Sequence, residues 1–255
     1  MKNLAAALLL LALGGSVLPA DECISHCTAG YPSPASSSIA DIPLPQGYKR
    51  QVPAAGSFAS WLHTISLKKD KRVFLYNGML KEDQSVQYAV LNIPVGNRDL
   101  QQCADAIMRL RAEYLFAMRR FSEIAFRDNN GTWYKWTGGS DRVKFENYLQ
   151  RVFGMCGTAS LEKQLTISKS MNKIEAGDVF IKGGFPGHAM LVVDMAVNAA
   201  GKKIFLLAQS YMPAQDIHIV NNPVSSSLSP WYEVNDAVVV ETPEWTFSNK
   251  CLRSW

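Results

Sequence analysis

Residues 177–216 have the sequence GDVFIKGGFPGHAMLVVDMAVNAAGKKIFLLAQSYMPAQD. Two runs rich in Val, Ile, Leu and Phe flank the polar, glycine-containing turn Asn198–Lys203, a pattern typical of a β-hairpin. A shorter apolar piece, Asp178–Ile181, predicts a strand before it. The glycine-rich connection Gly183–Gly187 then delivers His188 to the first residue of the hairpin. Because strand ends on a rigid scaffold present side chains to ligands, His188 is a candidate functional residue.

Two long helices are predicted before this hairpin. The first runs from Asp99 to Phe121, with Asp99 as N-cap and Gln102 three residues later, as in a capping box. Its apolar residues recur at helical spacing, and Cys103 lies within that stripe. The second helix spans Asp141–Met155. Further elements are a short helix over Ser57–Leu67 and strands over Val73–Leu75, Val86–Val95, Ile217–Val220 and Val238–Glu241. This order favours an α+β domain with an antiparallel sheet.

The N-terminal residues have the layout of an export signal. Met1–Ala20 carries one lysine, then an apolar run, then small and turn-forming residues, as in a secretory signal peptide. The apolar run is shorter than the roughly 20 residues that a membrane span needs. Residues 21–55 are rich in Pro, Ser and Ala, which predicts a linker or an extended arm. Residues 56–255 are then a single α+β domain. The mature chain is predicted to be periplasmic or secreted, monomeric and without a transmembrane segment.

Charge and cysteine spacing limit the kinds of partner and cofactor. The formal net charge is +4, and the basic residues are scattered, so no nucleic-acid partner is predicted for an exported protein. Five cysteines leave at least one thiol unpaired within the chain. Cys23 and Cys27 enclose a histidine, but no second ligand pair follows them, so neither a metal site nor another cofactor is predicted.

Cys103 is the candidate partner of His188. With Asp99 as N-cap, Cys103 lies in the first helical turn, where the helix dipole favours a thiolate. A cysteine nucleophile needs an adjacent base, and His188 suits this role. The imidazole in turn needs a hydrogen-bond acceptor that orients it. A hairpin folded around Ala199–Ala200 brings Gln209 within about one residue pair of His188, so Gln209 is the preferred acceptor.

Other interpretations of these residues stay open. Cys103 also suits a small buried hydrophobe or a disulfide partner of Cys156. Ser210 takes the place of Gln209 if the hairpin register differs by one residue, and Gln209 also suits a strand residue that only satisfies a neighbouring backbone group. His218 alternates with two isoleucines and is predicted to face solvent.

A second set of residues is predicted to contact the substrate. Trp133 and Trp136, with Tyr134 between them, either line a sugar- or peptide-binding groove or pack a long loop onto the domain. The side-chain amide of Gln102, next to the candidate nucleophile, is placed to help the backbone N–H of Cys103 hold an oxyanion. The candidate substrate-binding residues are Gln102, Ser210, Tyr211, Trp133 and Trp136.

A helix that opens on a cysteine, followed by the GDVFI…GHAMLVVD hairpin, resembles the layout of NlpC-type peptidases and amidases of bacterial cell-wall turnover. The likeness covers residues 100–215. It implies a papain-like fold, in which the helix packs on a small antiparallel sheet. It also implies that Cys103 is the nucleophile, His188 the base and Gln209 the orienting residue. The sequence around the cysteine, QQCADAI, differs from the Asp-Cys-Ser-Gly usual in those enzymes.

A second resemblance spans residues 41–247. It rests on the segments DIPLPQGYKR, VGNRDLQQCADAIMRLRAEYL, GDVFIKGGFPGHAMLVVDMA, LLAQSYMPAQDIHI and TPEWTF. These segments are similar to a family of exported bacterial proteins with no assigned function. The resemblance implies relatives but no activity.

The leading hypothesis is an exported cysteine amidase or endopeptidase that acts on cell-wall peptide by a Cys–His mechanism. The alternative is a non-catalytic envelope protein that binds a glycan or peptide on the same scaffold. Fold similarity alone does not decide between them. The two hypotheses differ in geometry, because an enzyme needs Cys103 and His188 together beside an open cleft.

Overall fold

The computed structural model describes residues 37–165 and 167–255. The predicted signal peptide and the start of the predicted arm lie outside these ranges. No helix within them is long and apolar enough to cross a bilayer.

The strands are β1 (Tyr48–Arg50), β2 (Gln87–Val90), β3 (Ala125–Arg127), β4 (Trp133–Lys135), β5 (Ile167–Ser168), β6 (Val179–Lys182), β7 (His188–Asn198), β8 (Lys203–Gln209), β9 (His218–Val220), β10 (Tyr232–Glu233), β11 (Val239–Glu241), β12 (Thr246–Ser248) and β13 (Leu252–Ser254). The helices are α1 (Phe58–His63), α2 (Cys103–Ala117), α3 (Arg142–Met155) and α4 (Thr158–Gln164).

The predicted hairpin is the centre of the sheet. β7 and β8 pair antiparallel, with Leu191 opposite Ala208 and a bulge between Val192 and Asp194. The outer edge of β7 is shared by two short strands, β6 at one end and β1 at the other. The outer edge of β8 is shared in the same way by β9 and β10. The hairpin prediction is confirmed, and its two long strands hold four shorter ones in place.

The complete sheet is far larger than the sequence indicated. It has nine strands in the order β2-β9-β8-β7-β6-β13-β5, with β1 also on β7 and β10 also on β8. The predicted fold, an α+β papain-like domain with a helix on a small antiparallel sheet, is therefore wrong. The architecture is mostly one antiparallel sheet with few helices. Strands such as β5, β10 and β13 have two or three residues each, too few to show an alternating pattern in the sequence.

The sheet is covered on both faces. Along β8, Ile204, Leu206 and Ala208 belong to the core cluster that contains the helices. The alternate residues Phe205 and Leu207 belong to a second cluster, with β12 and β13. This alternation is the two-residue period of a strand. Because both faces are buried, polar side chains on the central strands must find partners inside the protein.

Helix α2 begins later than its sequence predicts. Its N-cap is Gln102, and Cys103 is its first residue, whereas Asp99 was the predicted cap. The Asp99 carboxylate is used elsewhere: its Oδ1 accepts hydrogen bonds from the backbone N–H of Ala214 at 2.7 Å and from Gln102 Nε2 at 3.1 Å. Asp99 thus ties the approach to α2 to the loop after β8. A contact across 115 residues of sequence cannot be inferred from a local capping pattern.

Part of the predicted arm joins the domain. Ile39 and Ile42 are buried, and β1 pairs with β7. Arg50 at the end of β1 donates from Nε to Asp194 Oδ2 at 2.6 Å, and Asp194 is fully buried on β7. The described part of the arm, from residue 37 onward, is therefore attached to the sheet by backbone and side-chain hydrogen bonds.

The connection between β6 and β7 depends on a close backbone approach at Gly187. A Cβ atom there would lie 2.5 Å from the carbonyl oxygen of Gly184, 2.6 Å from Thr158 Oγ1 and 2.7 Å from the carbonyl oxygen of Lys182. Two of these three neighbours are backbone atoms, which cannot rotate away. Only glycine therefore lets this connection deliver His188 to the start of β7.

We expect Gly187→Ala to lower the free energy of unfolding by roughly 1–3 kcal/mol, because the backbone around the added methyl group has to shift. Urea unfolding followed by circular dichroism measures this change. Gly154→Ala in α3 is the matched control, since a Cβ there has no neighbour within 4 Å. That control should be neutral or stabilising by up to about 1 kcal/mol. Equal effects of the two substitutions would contradict the close-approach argument.

Candidate active site

A large cavity lies where α2, β7 and the loop after β8 meet. Its volume is about 730 Å³, within the range of small-molecule and peptide sites. Cys103, His188 and Tyr211 line it together, as does Trp245 between β11 and β12. Most of its other wall residues are apolar, and Phe185 at its edge is 97% exposed. The fold therefore brings the predicted cysteine and histidine to one concave site.

Cys103 is held at the start of its helix against β7. The backbone N–H groups of Ala104, Ala189 and Cys103 itself lie close enough to the sulfur to lower the pKa of the thiol. Because Ala189 follows His188 directly, this contact places the thiol at the first residues of β7. The side chain is only 8% exposed. The thiol thus combines a helix N-terminus with an almost closed environment.

His188 and Gln209 are joined by a hydrogen bond. His188 Nε2 lies 2.8 Å from Gln209 Oε1, and both side chains are 1% exposed. Since an amide oxygen only accepts, Nε2 must carry the hydrogen of this bond. The other ring nitrogen, Nδ1, then holds the lone pair that can take a proton. Three aromatic rings surround the imidazole, those of Tyr211, Trp245 and Phe247.

The orientation of the Gln209 amide is itself fixed by two acceptors. Gln209 Nε2 donates to Glu244 Oε2 at 2.7 Å and lies 3.3 Å from His218 Nε2. His218 Nδ1 donates to the carbonyl oxygen of Asp216 at 2.9 Å, so its Nε2 is an acceptor. Lys81 Nζ holds the other Glu244 oxygen at 2.9 Å. A flipped Gln209 would place its oxygen against two acceptors, so the tautomer of His188 follows from this network.

Burial keeps both candidate groups neutral at neutral pH. It raises the pKa of the Cys103 thiol to about 11, and the neighbouring Asp105 carboxyl adds to that shift. Burial lowers the pKa of His188 to about 4, although its bond to Gln209 acts in the opposite direction. Hydrogen bonds from backbone N–H groups lower the pKa of Cys103 but do not outweigh burial. The resting pair is therefore a thiol and an uncharged imidazole.

Asp105 adds a third buried group to the wall of the cavity. It lies one residue beyond Ala104 in α2, and its Oδ2 accepts from the backbone N–H of Gln102 at 3.0 Å. Its Oδ1 has no hydrogen-bond partner among the described residues. Burial raises its pKa well above the usual range of a carboxyl group. When Asp105 is ionised, its negative charge is one of the causes that raise the pKa of the Cys103 thiol.

A family model for a domain of unknown function (4846) matches residues 39–140 and 124–254. The chain belongs to this family. The resemblance of residues 41–247 to a family without an assigned function is thereby confirmed. No curated protein and no solved structure matches the chain. The family gives no activity, so the chemistry has to be argued from the site itself.

The other predicted substrate-binding residues lie in three places: the cavity, the core and the exposed surface. Gln102 and Tyr211 line the cavity. Ser210 is fully buried, within hydrogen-bond distance of the carbonyl oxygens of Gln101 and Gln215, and does not line it. Trp133 is 48% exposed on β4, while Trp136 is buried and donates from Nε1 to the carbonyl oxygen of Gly139. Neither tryptophan lines the cavity that holds Cys103 and His188.

Cys103, Cys156 and Cys251 are free thiols. The structure therefore does not contain the predicted alternative of a Cys103–Cys156 disulfide. Cys156 lines the same cavity as Cys103. Among the described residues, no group of three or more His, Cys, Asp or Glu side chains is arranged to hold a metal ion.

Sequence reasoning missed two members of this site. His218 was expected to face solvent, and that prediction is wrong: it is fully buried, because β9 lies between β2 and β8 in a sheet covered on both faces. Glu244 was not considered. Both residues lie in segments that support the family resemblance, LLAQSYMPAQDIHI and TPEWTF. The family resemblance of those two segments is the sequence feature that could have pointed to His218 and Glu244.

We expect His188 and His218 to show opposite neutral tautomers in a ¹⁵N–¹H spectrum of the imidazole nitrogens. His188 should be protonated on Nε2 and His218 on Nδ1, each because of the acceptor it faces. Both should stay neutral from pH 7 down to near the value of about 4 that burial gives their pKa. Gln209→Ala should remove the hydrogen-bonded Nε2–H signal of His188. A His188 imidazolium at pH 7, or an Nδ1–H tautomer, would contradict the network.

Proposed function

We propose that this protein is a cysteine hydrolase that cleaves an amide bond, with Cys103 as nucleophile, His188 as general base and Gln209 as orienting residue. The observation that carries the proposal is that Cys103 and His188 line the same cavity and that Gln209 fixes the tautomer of His188. A nucleophile, a base and a group that orients the base are the parts that acyl transfer needs. The fold differs from that of the papain-like enzymes, so fold similarity does not support these catalytic roles.

The proposed reaction begins with proton transfer. The Cys103 thiol gives its proton to His188 Nδ1 as the sulfur attacks the carbonyl carbon, and an oxyanion forms. The C–N bond then breaks, and the imidazolium returns the proton to the departing amine. Water, activated by the same imidazole, hydrolyses the thioester and releases the acid. Atoms and charge balance with water as the only co-reactant.

The start of α2 is the proposed oxyanion site. Backbone N–H groups in the first turn of a helix have no partner within the helix, so the N–H of Cys103 is a suitable donor. The Gln102 side-chain amide was the second predicted donor. Its Nε2 donates to Asp99 Oδ1 at 3.1 Å, so one hydrogen of the amide is engaged and the other is available.

The neutral resting pair defines the kind of mechanism. With a thiol pKa of about 11 and an imidazole pKa of about 4, a preformed thiolate–imidazolium pair is disfavoured. The nucleophile is therefore formed during attack, by general-base catalysis. Removal of the base should then slow the reaction more than it would slow an enzyme whose thiolate is already present.

The proposed substrate class is cell-wall peptide, and the proposed compartment is the periplasm or the exterior. The substrate class rests on the likeness of residues 100–215 to NlpC-type peptidases and amidases, and the compartment on the leader-like residues 1–20. The cavity itself favours a substrate with an apolar group near the scissile bond, because Leu100, Phe153 and Met212 form part of its wall.

A non-catalytic binding protein is the second candidate, and burial is the observation that favours it. His188 is 1% exposed and Cys103 8% exposed, and both pKa shifts favour uncharged, unreactive forms. In this case the cavity holds a peptide or glycan, and the Gln209 network only satisfies buried polar groups. The two candidates differ in whether the native thiol can be acylated.

We expect native protein mixed with p-nitrophenyl hexanoate to release a burst of p-nitrophenol and to carry the hexanoyl group on Cys103. Absorbance measures the burst, and peptide mass spectrometry locates the acyl group. His188→Ala should slow the burst by roughly 10²- to 10⁴-fold, the usual contribution of a general base. Gln209→Ala should slow it as well, because the imidazole loses its orientation.

Cys251→Ser is the matched control, since this partly exposed thiol lies outside the cavity, and the burst should be unchanged. An acyl group on Cys156 or Cys251, or a burst that His188→Ala leaves intact, would contradict the proposal. A native Cys103 that reacts only after unfolding would favour the binding protein. Soluble cell-wall peptides would then test the substrate class. The wild-type protein should cleave them into products, and the Cys103→Ser variant should form no product.

A further inference from the structure

A second cavity adjoins the first. It has a volume of about 190 Å³, and Leu100 and Phe153 line both cavities. Its other wall residues come from the segment before α2, from α2 and from α3, and include Arg98, Gln101 and Arg109. The walls of this cavity differ from the mostly apolar walls of the first, because two arginines, three residues with side-chain amides and one glutamate contribute to them.

Gln101 presents an unpartnered donor in this region. Its Oε1 accepts from Arg109 Nη1 at 3.0 Å, which fixes which end of the amide is the oxygen. The other end, Nε2, has no hydrogen-bond partner within residues 37–165 and 167–255. Gln101 is only 1% exposed. A buried amide N–H without an acceptor costs free energy that a suitable ligand can recover.

Arg109 presents a second unpartnered donor. The side chain is 9% exposed, and its Nη1 donates to the carbonyl oxygen of Pro94 and to Gln101. Its Nε has no partner among the described residues. Of the six buried side-chain nitrogens and oxygens without a partner in those ranges, Arg109 Nε and Gln101 Nε2 belong to residues of this one cavity. Both are donors, so the missing partner is an acceptor.

The charge around Arg109 is incompletely balanced. Glu113 lies 3.4 Å from Arg109 Nη2, but both of its oxygens accept from Arg142. Glu146, which also lines the cavity, is held by Arg142 Nε at 3.2 Å. Arg98 adds a further positive charge with only a 3.3 Å contact to the neutral Gln150. The three guanidinium groups of Arg98, Arg109 and Arg142 thus outnumber the two carboxylates of Glu113 and Glu146, and a net positive charge remains.

We infer that the second cavity is an anion subsite that takes a carboxylate of the ligand whose apolar part occupies the first cavity. Arginine and amide donors are the groups that bind a carboxylate in proteins. The volume of about 190 Å³ has room for a carboxylate. Leu100 and Phe153 line both cavities, so the two cavities are adjacent, as a single ligand that contacts both would require. This inference rests on the proposed function, which assigns the first cavity to the substrate. It adds that the substrate carries an acidic group beside its apolar one.

Binding of a matched acid and amide tests this inference without any reaction. Isothermal titration calorimetry at low salt would compare 5-phenylpentanoate with 5-phenylpentanamide on the wild-type protein. Both carry the same apolar part, and only the acid carries a charge. We expect the acid to bind at least about tenfold more tightly, the usual effect of a hydrogen bond to a charged group.

Variants then locate the preference. Arg98→Gln changes an exposed residue. It should weaken binding of the acid but not binding of the amide. Gln101→Glu is nearly isosteric, places a carboxylate beside Arg109, and should abolish the preference for the acid. Arg151→Gln, in the same helix as Glu146 but outside both cavities, is the charge-matched control and should change neither affinity.

Equal binding of acid and amide to the wild type would overturn the inference, as would a preference that survives Gln101→Glu. Circular dichroism confirms that each variant is folded before it is compared. The outcome is independent of the nucleophile. If the acid preference is present but no acyl group forms on Cys103, the subsite stands and the hydrolase proposal fails. If Cys103 is acylated but the acid binds no more tightly than the amide, the hydrolase proposal stands and the subsite inference fails.

Discussion

A polar side chain on a strand covered on both faces must be hydrogen-bonded inside the protein, and Gln209 shows how far that constraint reaches. Its oxygen accepts from His188 on β7, and its nitrogen contacts His218 on β9 and Glu244 between β11 and β12. One amide therefore connects three neighbouring strands of the central sheet and the hairpin that covers them. The tautomer of His188 is a consequence of how the sheet is packed.

Two opposing effects act on the Cys103 thiol. Its place at the first residue of α2 favours the thiolate, by about 1 kcal/mol for a typical helix terminus, or less than one unit of pKa. Burial acts the other way, and the pKa of about 11 shows that it prevails. An ion pair in this closed and largely apolar site would lose more hydration than two neutral groups do. The site therefore stabilises a neutral thiol and a neutral imidazole better than it would a thiolate and an imidazolium.

Local signals in the sequence were enough to place His188 and Gln209 together. The turn at Asn198–Lys203 and the runs on each side of it set the hairpin register, and that register carries Gln209 to His188. The size of the sheet could not be predicted, because it depends on short strands contributed by distant parts of the chain. The start of α2 was misplaced for a similar reason: Asp99 binds the backbone of Ala214 instead of capping the helix. Burial of His218 likewise follows from its neighbours in the sheet and not from its own segment.

The segment that leads into α2 connects the two cavities. Asp99 anchors it to the loop after β8, and the next residues then point in different directions. Gln101 turns toward Arg109 and the second cavity, whereas Gln102 and Cys103 line the first. A ligand group bound to Gln101 is therefore separated from Cys103, the proposed nucleophile, by one residue of a backbone that is fixed at both ends. In the proposed hydrolase, binding energy from the second cavity would help to position the scissile bond at Cys103, as remote binding does in other enzymes.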